Sequence, residues 1–171
     1  MFVIALWTNE HLFTHSQFVR GVNWIYLPAG IRLLATLLLG FDGALGLLVA
    51  SWLVNFFYFF PHDFMRAFAG GILSTLGPYA AYRLARERYG LEASLRNLTG
   101  KRLLLLAGAY AFANALLHHI WLALRGETHD LAMRFVAMMV GDLSGTLIVL
   151  YALKTVLSLL RLHARHTRTL D

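Results

Sequence analysis

Apolar runs separated by short polar stretches divide the chain, and five of them approach the roughly 20 residues that a membrane-spanning helix requires. The first covers about 22–39, VNWIYLPAGIRLLATLLL, with Pro28 near its start, where a missing amide and a fixed φ are tolerated. The second covers about 43–60, entered through the turn-like GFDG and closed by Pro61. The third, fourth and fifth cover about 65–84, 103–124 and 132–160. The last exceeds a perpendicular span, so it is expected to tilt, to bend near Gly141 and Gly145, or to leave the membrane at Lys154. Residues 1–7, MFVIALW, are too short to cross and precede a polar stretch without a basic start or a small-residue cleavage site. They read as an interfacial lead-in or as the remnant of a longer helix. The expected organisation is an extracytoplasmic or interfacial segment at 1–21, an all-α transmembrane bundle at 22–160, and a basic cytoplasmic tail at 161–171.

Composition agrees with that environment. Hydrophobic residues make up 58% of the 171 and charged residues 14%, against the charged fraction of about 25% that a soluble domain carries. Five spans leave no room for a separate soluble domain, so any kinase or cyclase output is expected on another protein. The absence of cysteine excludes disulfides, thiol catalysis and thiolate metal sites. A pI near 10.1 would suit nucleic acid, but the positive charges lie beside the apolar runs, where membrane topology accounts for them. The segment between spans three and four holds Arg83, Arg86, Arg88, Arg96, Lys101 and Arg102 against Glu87 and Glu92, and the tail adds Arg161, Arg165 and Arg168. Both regions are expected in the cytoplasm, which puts the N-terminus outside together with PHDF at 61–64 and GETHD at 126–130. A bacterial cytoplasmic (inner) membrane is the expected location.

Within these spans a few polar residues stand out, because an ionised group at mid-bilayer costs roughly 2.5–3.5 kcal/mol even on lenient scales. Arg32 and Asp142 each lie about ten residues below the outer end of their span, or roughly 15 Å down. Asn114 falls at a similar depth, His118 lies one turn above it on the same face, and Asn55 is also in the outer half. These five define an expected polar layer and candidate ligand site. Each also has a plainer use. Arg32 and Asp142 can form a structural ion pair, Asn55 and Asn114 can tie helices together, and Gly141 with Gly145 makes a step suited to close helix packing. His118 and the adjacent His119 point about 100° apart on a helix, so one is expected inside and the other near the outer headgroups.

WIYLPAGIRLLATLLLG at 24–40 resembles the opening signature of MASE1-type integral membrane sensor domains, and GDLSG at 141–145 is similar to their Gly-Asp-x-x-Gly element in a late helix. AGGILSTLGPYAAYRLARER at 69–88 is compatible with the same pattern. The resemblance implies a ligand-sensing or partner-binding bundle, with Pro28, Gly30, Gly141, Asp142 and Gly145 at the matching positions. The expected function is therefore that of a sensor: a small ligand enters the polar layer, and the fifth span passes the change to a separate signalling or membrane protein. A small transporter, or the substrate-binding component of one, is the alternative, although no paired interrupted helices or internal repeat supports it. A haem carrier using His118 or His119 lacks an evident second axial ligand, and neither a Gly-x-Ser-x-Gly elbow nor a His-Glu-x-x-His helix is present. No enzymatic activity, cofactor, metal or nucleic-acid partner is expected.

Overall fold

The computed structural model of the chain describes residues 1–13, 17–19, 22–91 and 98–168, except the side chains of 158 and 160–168. Glu92 and Arg96 of the basic segment, and the side chains of Arg161, Arg165 and Arg168 in the tail, lie outside the described residues. Helix α1 (Phe2–Leu12) leads into a short antiparallel pair, β1 (Gln17–Val19) and β2 (Val22–Asn23). The helices α2 (Leu27–Val54), α3 (Phe64–Tyr89), α4 (Gly100–Leu124) and α5 (Leu131–Arg168) follow. The chain is thus mostly helical, and the two strands are an addition to the expected all-α fold. Three stretches are long and apolar enough to cross a membrane: Leu27–Phe59, Gly100–Leu124 and Leu131–Leu157.

The first of these stretches doubles back. At Gly40 the backbone turns to φ 58° and ψ −128°, a region that only glycine enters cheaply, and helix resumes on the far side. Gly43 then packs against the carbonyl of Ala35, with which a Cβ on Gly43 would collide. In an unbroken helix those residues would be about 12 Å apart. The two limbs, 27–39 and 41–54, overlap the first two apolar runs of the sequence. A π-helical turn at Asn55–Phe59 ends the second limb.

Local chemistry marks the remaining boundaries. The Asp63 carboxylate accepts from the Arg66 amide at 2.9 Å and caps α3, and Gly90 in the left-handed region (φ 56°) closes that helix. The Thr99 hydroxyl accepts from the Arg102 amide at the start of α4. Around the bundle α2 meets α3, α3 meets α4, α4 meets α5, and α5 returns to α2, while α1 lies on α2. The centre of the ring is packed by Ala29, Leu33 and Leu37 of the first limb, Ala81 and Ala85 of α3, and Leu106, Ala107 and Tyr110 of α4. Alanines at these positions let the backbones approach closely, which is how helices associate where lipid supplies no hydrophobic drive. The outside is apolar instead. Phe41, Leu45, Val49, Leu53 and Phe57 form an exposed stripe at every fourth residue, and Phe112, Leu116, Ile120 and Leu124 repeat it on α4. A water-soluble monomer rarely exposes such continuous apolar surface.

Candidate functional site

Two short motifs position the site by docking on each other. Residues 23–26 lie outside any helix and pack along α5, where the Tyr26 amide donates to the Gly141 carbonyl at 3.0 Å and the Ser144 hydroxyl donates to the Trp24 carbonyl at 3.0 Å. A Cβ on Gly141 would strike the Asn23 carbonyl, and one on Gly145 would strike the Tyr26 carbonyl. The spacing of this glycine pair suits a neighbouring helix, yet what it admits is the non-helical backbone that leads into α2. One turn into α2, a Cβ on Gly30 would sit 2.6 Å from that of Val149, so the same closeness continues down α5. Pro28 is buried in the first turn of α2, where its lack of an amide costs nothing, and the Leu27 amide finds the buried Asn9 side chain of α1 at 2.8 Å.

This register corrects the expected depths. The helix of α2 begins level with Gly141–Gly145, not at the outer surface, so Arg32 lies five residues, about 7.5 Å, beyond that level. Asp142 is level with the non-helical segment 23–26. Arg32 and Asp142, expected to pair directly or through one water, make no direct ion pair: among the described residues the ion pairs are Arg66–Glu127, Arg83–Glu87 and His129–Asp130. Instead, the Asp142 carboxylate accepts from Asn114 Nδ2 at 2.6 Å, a bond joining α5 to α4. The Arg32 guanidinium reaches back toward the start of its helix and lies 4.9 Å from the Phe2 ring and 5.4 Å from the Tyr26 ring. Its Nε has no hydrogen-bond partner.

Of the five residues expected in one polar layer, Arg32, Asn55, His118 and Asp142 line a common cavity of about 120 Å³. Asn114 stands behind Asp142 and packs on Gly77 of α3. Asn55 Nδ2 donates to the Ala67 carbonyl at 3.1 Å, tying the π-helical turn to α3. His118 Nδ1 donates to the Asn114 carbonyl at 2.9 Å, which leaves Nε2 as the acceptor facing the Ser74 hydroxyl at 3.4 Å. His119, expected to split from His118, also borders the cavity: its Nδ1 donates to the Ala115 carbonyl at 2.7 Å and its ring meets Phe135 edge-on. Arg66, Ser74 and Arg134 belong to the wall as well. Neither of these arginines stands out in the sequence, because each lies about one turn inside its helix and reads as an ordinary interfacial charge. The available signal is spacing: Arg134, Met138 and Asp142 recur every four residues on one face of α5.

The cavity therefore combines cationic side chains, the Asp142 carboxylate and neutral hydrogen-bonding groups with an apolar rim of Phe59, Phe60, Trp121 and Leu122. Among the described residues no group of acids and histidines could hold a metal ion. No protein-family model, curated protein or solved structure matches the chain.

Proposed function

We propose that the chain is a multi-pass sensor-like membrane protein that binds a small ligand in this cavity and passes the change through α5 to a separate protein. In this reading the limbs of α2 count as two spans and α3, α4 and α5 as three more, with the N-terminal segment outside and the basic end cytoplasmic. The carrying observation is the course of α5. It presents Arg134, Met138 and Asp142 to the cavity and continues as one helix to Arg168, 38 residues or about 57 Å, against a hydrocarbon layer of about 30 Å. A ligand that favours one arrangement of the cavity wall thus acts on a helix whose other end projects beyond the bilayer. The similarity of 24–40 and 141–145 to MASE1-type sensor domains supports the same reading. Transport is less well supported, since the cavity is lined from one end of the bundle.

A thermal-shift screen of small metabolites on the detergent-purified chain tests this proposal. A ligand should raise the melting temperature of the parent and fail to do so in Met138→Trp, which fills the cavity, and proteoliposomes should not accumulate it. Accumulation of the ligand, or an equal shift in Met138→Trp, contradicts the proposal.

A further inference from the structure

The charges around the cavity do not balance, and the imbalance specifies the ligand. Arg66 is neutralised by Glu127. The Asp142 carboxylate accepts from the Asn114 amide and, without forming an ion pair, lies near enough to Arg32 for the two charges to act on each other. Neither Arg32 nor Arg134 is in an ion pair among the described residues, and Arg32 is only 6% exposed, with its Nε unpartnered. Two cations against one carboxylate leave the wall net positive, and a buried cation is retained only with a partner or a task. The Tyr26 and Tyr110 hydroxyls offer acceptors to the Arg32 side chain, and the aromatic faces beside it offset part of its desolvation, but none of these neutral groups supplies a compensating charge.

Resting on the ligand-binding reading above, we infer that the cavity takes an aliphatic monocarboxylate, its carboxylate on Arg32 and its hydrocarbon against Phe59, Phe60 and Leu122. Size agrees. A cavity of about 150 Å³ accommodates benzene, so about 120 Å³ suits a molecule of about six non-hydrogen atoms, the size of butyrate. Arginine suits a carboxylate because its planar fork can donate two parallel hydrogen bonds. Inorganic phosphate would meet the same arginine but would give up its hydration to an apolar rim that returns nothing. Arg134, near the start of α5, also lines the cavity and adds positive charge to its wall. A water-soluble short acid and the head of a membrane-dissolved fatty acid present the same chemistry to Arg32.

Calorimetric titration of the detergent-purified full chain with butyrate, decanoate, butyramide, butylamine and inorganic phosphate tests the inference. At least one of the two carboxylates should bind, and the amide, amine and phosphate should not. Binding of butyrate identifies the soluble acid as sufficient; binding of decanoate alone identifies the lipid-dissolved form. Arg32→Gln should weaken carboxylate binding about tenfold or more, and Arg134→Gln by a smaller factor. Arg32→Lys, which keeps the charge and loses the fork, should fall between parent and Arg32→Gln, and it serves as the test if the glutamine variant does not fold. Butylamine or butyramide binding as well as butyrate would overturn the carboxylate assignment while leaving a ligand cavity in place. Failure of both carboxylates to bind a cooperatively folding parent, or an unchanged affinity in folded Arg32→Gln and Arg32→Lys, would overturn it outright.

Discussion

Asp142 shows how one buried carboxylate is accommodated. It sits 1% exposed with the Asn114 amide as its hydrogen-bonding partner, while Arg32 is held by aromatic rings nearby. Asn114→Ala should destabilise the protein by roughly 1.5–3 kcal/mol, the range for hydrogen bonds to charged groups, as measured by thermal or denaturant unfolding in detergent. Double-mutant cycles rank the partners. The coupling of Asn114 to Asp142 should exceed that of Arg32 to Asp142, and the reverse order would restore the direct pair. That these residues are polar, deep and close together is legible in the chain. Their pairing is not, because equal counts from two helix ends give equal depth only if both helices start at the surface, and α2 starts level with Gly141–Gly145.

Among the elements, the non-helical segment 23–26 and the glycine step on α5 determine how the bundle closes. Gly141→Ala and Gly145→Ala each place a methyl group onto a carbonyl of that segment, and each should cost about 1–3 kcal/mol or more from overpacking, read from unfolding in detergent. A methyl group at Gly46 would meet nothing within 4 Å, so Gly46→Ala should be neutral or stabilising by up to about 1 kcal/mol, the ordinary helix-propensity gain. Equal losses at all three positions would show that the α5 glycines serve no special contact. The three candidate spans can be read from the chain because a membrane helix advertises itself by length and hydrophobicity. The reversal at Gly40 is foreshadowed by GFDG. Non-helical backbone inside the bundle gives no such signal: Val22–Tyr26 lies in an apolar run, and α5 satisfies its Tyr26 amide and Trp24 carbonyl.

For the whole molecule, the proposed orientation puts the cavity mouth outside and the basic segment before α4 inside. In this cysteine-free chain, single substitutions Thr128→Cys and Lys101→Cys should differ on intact cells, with Thr128→Cys alone labelled by an impermeant thiol reagent. Labelling of Lys101→Cys from outside would invert the topology. The central claim, a water-accessible cavity that opens outward along one face of α5, is tested most directly by the same reagent at two neighbouring positions. Met138 lines the cavity, whereas Val140, two residues on, is 37% exposed on the apolar exterior. The account predicts that Met138→Cys reacts on intact cells and that Val140→Cys, facing lipid, does not; reaction at Val140→Cys with Met138→Cys silent would contradict it.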